Sequence, residues 1–254
     1  MFIEKLKAIQ KLKLRLLQEK KWRYLRYLHL HDCLKIIEQN IKNCLIIGGG
    51  KGIAELLLAI EFPHIHFYIT DIYKKNNNQY SYPNYIGAIE TSYKWNISNI
   101  TFGILDIFEK YPQKYDFIAT TEVLEHIKQA SEAFANMEAH CLKYIYCLVP
   151  YANNNDNSDL IKLKKAWDNH EHYLVGYNLS NFKSLINPTF DILYYKRVYG
   201  VQSQNLRKEI NTYEKNKISV EQKTLENIFQ QDLSTNLIEG DGIKFLLKNK
   251  INIK

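Results

Sequence analysis

Residues 44–52 read C-L-I-I-G-G-G-K-G, an apolar run that stops at a cluster carrying Gly48, Gly50 and Gly52 at alternate positions. An apolar run followed at once by glycines predicts a buried strand turning sharply into a helix, with backbone bare enough for a ligand to lie against it. Nineteen residues beyond Gly52, a second apolar run over residues 66–70 ends in Asp71. That interval lets a carboxylate at the end of the next strand take both hydroxyls of a ribose lying over the glycines. The pair predicts a nucleoside-containing cofactor.

The glycine spacing is GxGxG, and Ile53 stands where the dinucleotide fingerprint GxGxxG needs its third glycine. A nicotinamide dinucleotide is therefore not the expected ligand. A phosphate-cradling loop fails too, because its lysine must be followed by a hydroxyl and Lys51 is followed by Gly52. Further along, residues 101–106 (T-F-G-I-L-D) form another apolar run closing on a carboxylate, and residues 115–127 read Y-D-F-I-A-T-T-E-V-L-E-H-I.

With these segments the chain resembles the class I S-adenosylmethionine-dependent methyltransferases, whose fourth strand commonly runs into a V-L-E-H-I segment like residues 123–127. The resemblance covers about residues 40–200. It implies that Gly48, Gly50 and Gly52 wrap the amino-acid part of S-adenosylmethionine, and that Asp71, with Ile72 beside it, holds the ribose. Asp106 would accept from the adenine amino group with Ile107 packed on the ring, and Thr121 and Glu122 would lie beside the sulfonium. One departure stands out: Ile46 occupies the place, two residues before the first glycine, where that family usually carries an acid. Anchoring of the methionine moiety must then come from elsewhere, with Glu55 and Glu122 as candidates.

The I-G-G-G-x-G pattern also resembles the glycine loop of aminopropyltransferases, which share this fold. Those enzymes need a D-x-x-D pair after the fourth strand, and residues 120–123 (T-T-E-V) supply none. Nor does an N-P-P-Y segment follow that strand, and N-P-T-F at residues 187–190 comes after the fifth and reads as a turn.

A chain of 254 residues with 46% hydrophobic content can bury one α/β core with appendages. Its expected organisation is a basic helical extension over residues 1–40, a cofactor-binding core over 41–202, and a helical insertion with a final strand over 203–254. The net charge of +7 is not an invitation to nucleic acid over the whole surface. The first 35 residues hold ten Lys/Arg against three Asp/Glu, which accounts for all of it. That segment lacks glycine and proline and spaces Phe2, Leu6, Ile9 and Leu16 along one helical face. Its expected role is a lid packing an apolar stripe on the sheet or on a second copy, as a homodimer. The rival reading is a surface for RNA, anionic substrate or membrane, with Trp22, Tyr24 and Tyr27 stacking among Arg23 and Arg26.

No signal-peptide pattern or membrane-length apolar stretch is expected from the sequence. Cys33, Cys44, Cys141 and Cys147 lack ligand-like spacing, so they read as reduced core thiols of a cytoplasmic protein. His64 with His66, and His170 with His172, are the histidine pairs to weigh as metal ligands, and no metal is expected.

Strands are predicted at 43–48, 66–71, 100–105, 115–121 and 143–149, with helices near 50–61 and 128–142. Residues 73–99 are loop-rich and shelter a short helix; a sixth strand spans 191–201 and an antiparallel seventh 242–248. Strand–helix alternation implies a Rossmann-like, mostly parallel seven-stranded sheet with helices on both faces and ligand at the strands' carboxyl ends.

Methyl transfer is an in-line displacement at carbon, so the protein supplies aligned contact, plus a base when a hydroxyl acceptor must lose its proton. His126, His170 and His172 are the candidate bases, with His172 preferred. The resulting expectation is a methyltransferase acting on oxygen of a small, sugar or sugar-phosphate acceptor; the Lys-, Asn-, Ile- and Tyr-rich composition suggests an AT-rich bacterial genome, where such free-standing enzymes often modify surface polysaccharide. A tRNA-modifying enzyme and an inactive relative that has lost its acid at Ile46 are the alternatives.

Overall fold

The computed structural model describes residues 2–19, 21–72, 82–200, 222–234 and 240–251. The expectations for the Trp22 side chain, for residues 73–81, for most of the 203–235 insertion and for residue 201 of the sixth strand lie outside the described residues or side chains.

Seven strands form one sheet: β1 (Asn43–Ile47), β2 (His66–Asp71), β3 (Ile100–Ile104), β4 (Tyr115–Thr121), β5 (Cys141–Pro150), β6 (Phe190–Val198) and β7 (Gly242–Asn249). Their order is β3-β2-β1-β4-β5-β7-β6. The pairs β1/β2 and β2/β3 are parallel, and β7 is antiparallel to both β5 and β6. This is the Rossmann-like sheet with an antiparallel last strand that the sequence implies. Helices α1 (Phe2–Glu19), α2 (Lys21–Ile37), α3 (Ile53–Glu61), α4 (Tyr82–Lys94), α5 (Ala130–His140), α6 (Leu160–His170), α7 (Leu179–Lys183) and α8 (Gln222–Ser234) surround it. The chain divides into two compact units, Met1–Ala119 with His140–Leu142, and Thr120–Ala139 with Lys143–Lys254.

In the first unit the continuous apolar run of β1 is explained by burial on both faces, since Cys44, Leu45, Ile46 and Ile47 are all buried. Helix α4 is the short helix expected within residues 73–99. Helices α1 and α2 pack on α3. Their stripe differs from the predicted one: Ala8, Leu12 and Leu16 are buried, whereas Leu6 is 45% exposed. A four-residue repeat makes the ridge that fits a neighbouring helix, and that ridge follows Ala8 rather than Leu6. Burying Leu12 and Leu16 contributes about 1.5–3 kcal/mol each. Glu61, at the end of α3, fastens this layer by accepting from Tyr27 and pairing with Lys13 at 3.5 Å and His31 at 3.4 Å.

In the second unit, β7 lies between β5 and β6, and its Phe245 stacks on Phe182 of α7 with ring centroids 3.7 Å apart. The N-P-T-F segment is a turn as expected, with Phe190 donating its N–H to the Asn187 carbonyl at 2.9 Å. All four cysteines are buried and none is in a disulfide. Among the described residues no helix is long and apolar enough to cross a membrane.

Candidate functional site

The bend after β1 begins with Gly48 and Gly49 donating their N–H groups to the Thr70 carbonyl, at 2.8 and 3.1 Å. Gly50 and Gly52 adopt φ of +55° and +68°, the left-handed region that side chains disfavour. The two differ in what surrounds them. A Cβ on Gly52 would strike Phe102 at 2.6 Å and Ala88 at 3.2 Å, so this glycine lets α3 open against β3 and α4. Among the described residues a Cβ on Gly50 would meet only the Arg23 guanidinium, at 4.0 Å. Gly49, which the alternate-spacing argument passed over, is needed for packing, since a Cβ there would lie 2.3 Å from Ile69 Cγ2.

Asp71 ends β2 and is buried. Its Oδ2 accepts from Gly50 N–H and its Oδ1 from Ile72 N–H, both at 2.8 Å. Burial raises its pKa, opposed by those two N–H groups and by Arg23. Each oxygen keeps a lone pair for a further donor. The end of β3 joins the same group, because Leu105 N–H donates to the Asp71 carbonyl at 3.2 Å. Just beyond it, Asp106 is exposed and Ile107 buried, with Asp106 Oδ1 accepting from Phe108 N–H at 3.1 Å.

Glu55, in the first turn of α3, is pushed up to about 7 by burial, against the pull of Arg23. It lies within electrostatic reach of both Arg23 and Asp71. Ile46, where an acid is usual in the resembled family, is an ordinary buried strand residue. Arg23 is the participant that sequence reasoning misplaced. Against a nucleic-acid role for this segment, α2 brings Arg23 to the glycine bend, and Tyr24 and Tyr27 are 0% and 2% exposed, closed to base stacking. Only the packing of α2 on α3 reveals this. The bare backbone at Gly50, the clamped Asp71 and the Glu55–Arg23 pair of charges fit a ligand with a ribose and an amino-acid zwitterion.

In the second unit, β4 ends at Thr121, and Glu122 turns the chain with φ +52°, its N–H donating to the Leu148 carbonyl at 2.7 Å. A single helical turn, Leu124–His126, follows. Tyr173 N–H donates to the Glu125 carbonyl at 2.8 Å and Tyr177 Oη to the Leu124 carbonyl at 3.3 Å. Asn157 ties the same loop down, accepting from Val175 N–H and donating to the Gly176 carbonyl, both at 2.8 Å. His172 is thereby set edge-on to His126, with ring centroids 4.5 Å apart, while His170 at the end of α6 lies 5.2 Å from His172. Ligating atoms of Glu125, His126 and His172 all fall within 4.8 Å of one another. Burial, reinforced by His126 and His170, pushes His172 down to about 4. The imidazole preferred as a base is thus neutral at working pH and a weak proton acceptor. The other histidine pair is not assembled: His64 lies 3.7 Å from Glu38, and His66 bonds to Thr101.

A methyltransferase-domain family matches residues 8–186, well over half of the sequence. The chain belongs to the methyltransferase-domain family. Its class I, S-adenosylmethionine-dependent membership is the one the sequence resemblance implied. No curated protein sequence matches this chain. Among solved structures, it is similar to a protein from Galdieria sulphuraria assigned as a sarcosine dimethylglycine methyltransferase, with TM-score 0.62, 16% identity, and 91% and 86% of the two chains covered. Coclaurine N-methyltransferase bound to N-methylheliamine and S-adenosylhomocysteine gives TM-score 0.59 at 13% identity, covering 98% of this methyltransferase and 88% of that chain. Phosphoethanolamine N-methyltransferase 2 of Haemonchus contortus, in complex with S-adenosyl-L-methionine, gives 0.58 at 16%, covering 85% of this chain and 51% of that one. At these identities the likeness speaks for the shared fold.

Proposed function

We propose that this methyltransferase moves the methyl group of S-adenosylmethionine to an oxygen of a small or glycan-linked acceptor. Asp71, with Ile72, takes the ribose, Gly48, Gly50 and Gly52 wrap the methionine moiety, Asp106 and Ile107 receive the adenine, and Thr121 and Glu122 flank the sulfonium. Glu55, with Arg23 beside it, replaces the acid absent at Ile46. The observation that carries the choice of oxygen is the Glu125–His126–His172 grouping, in which His126 is the candidate base left once His172 is set aside as a weak proton acceptor. A hydroxyl must shed a proton as it is methylated, whereas an amine can enter already neutral.

The bacterial-surface context keeps its compositional support, and sugar phosphates are the first acceptors to try. Nitrogen is the alternative acceptor atom, favoured by the amine substrates named for the neighbouring structures. Release of S-adenosylhomocysteine, followed over sugars, sugar phosphates, amines and RNA with the product's mass located by fragmentation, separates these readings. Methylation on oxygen of a sugar-class acceptor is the expected outcome; turnover confined to amines or RNA would refute it.

A further inference from the structure

We propose that Glu125, His126 and His172 bind one divalent first-row transition-metal cation, against the metal-free expectation from sequence. Two imidazoles and a carboxylate form the donor set that such cations accept, and three protein ligands leave positions open for a substrate oxygen. The three ligating atoms already lie within 4.8 Å of one another. The Glu125 residue is 0% exposed, so a cation held by its carboxylate would sit out of bulk water.

The grouping is also held in place rather than accidental. The Tyr173 N–H bond to the Glu125 carbonyl and the Asn157 clasp on Val175 and Gly176 fix the His172 loop against the Leu124–His126 turn. Sequence spacing could not show the site, because His172 lies 46 residues from His126 and joins it only through the fold.

The catalytic role of the cation rests on the methyl-transfer reading above; its binding does not. An acceptor hydroxyl coordinated to the cation loses its proton to solvent more readily. Its oxygen then forms the new bond to the methyl carbon as the carbon–sulfur bond breaks. That electron pair stays on sulfur, leaving S-adenosylhomocysteine and the methyl ether.

The test begins with chelator-dialysed protein titrated with Co2+ and followed by its visible absorption. One saturating equivalent is expected, with His126→Ala and His172→Ala each weakening binding at least about tenfold and His64→Ala leaving it unchanged. A readout independent of variants is chemical modification of histidines read by mass spectrometry. Zn2+ should shield His126 and His172 in the wild-type chain but not His64, and equal labelling with and without Zn2+ overturns the proposal. Absence of one-equivalent Co2+ binding does the same. Calorimetry with S-adenosylhomocysteine, run in parallel, reports on the methyl-transfer reading: cation bound without S-adenosylhomocysteine sinks that reading and leaves the site standing.

Discussion

Replacing Asp71 by alanine is the sharpest probe of the cofactor site, because the carboxylate has two separable duties. It accepts Gly50 N–H and Ile72 N–H, and by the proposed reading its remaining lone pairs take the ribose hydroxyls. Hydrogen bonds to a charged group are worth about 1.5–3 kcal/mol each, so losing two costs ~3–6 kcal/mol, or roughly 150- to 25,000-fold in Kd. Calorimetry with S-adenosylhomocysteine measures that loss. It does not by itself distinguish a missing ribose contact from a slackened glycine bend. The same titration with an analogue lacking the ribose 2′-hydroxyl does: one ribose bond is already gone, so the Asp71→Ala penalty should shrink about tenfold. A wild-type-like Kd in Asp71→Ala, or an equal penalty for both ligands, would refute the ribose assignment.

Two further outcomes test the fold's own account. Gly52→Ala combines left-handed strain with a 2.6 Å clash at Phe102, so urea unfolding should report a loss of about 2–4 kcal/mol, and a loss below about 1 kcal/mol contradicts the packing described for α3. Glu138 is raised from 4.5 to about 7, chiefly by burial, while accepting Asn187 N–H at 2.8 Å. A raised carboxyl pKa means the folded state holds its proton more tightly. The associated stability is therefore complete below about 4.5 and disappears as pH rises through about 7. Wild type should lose about 1–2 kcal/mol across that window after allowance for partial solvent access, while Glu138→Gln, which keeps the acceptor oxygen, should show a flatter profile. Parallel profiles in thermal melts at several pH values would show that Glu138 is not the source.

The sequence by itself determined the sheet and the glycine bend after its first strand in the chain. Buried parallel strands are apolar through their centres, so residues 44–47 and 117–119 announce themselves, and a sharp strand-to-helix turn with left-handed backbone favours glycine. Asp71 was readable because it follows its strand at a fixed distance from that turn. Tertiary structure alone decided what reaches those elements from far along the chain. Arg23 arrives at Gly50 only because α2 folds back on α3, and no local pattern separates it from a solvated arginine. Gly49 is glycine because of Ile69 on the neighbouring strand, a contact with no periodicity of its own. His172 joins Glu125 and His126 through a loop pinned by backbone bonds, and backbone amides carry no residue identity to read in advance. Its lowered proton affinity followed from that burial, which makes the ring expected as a base a weak proton acceptor.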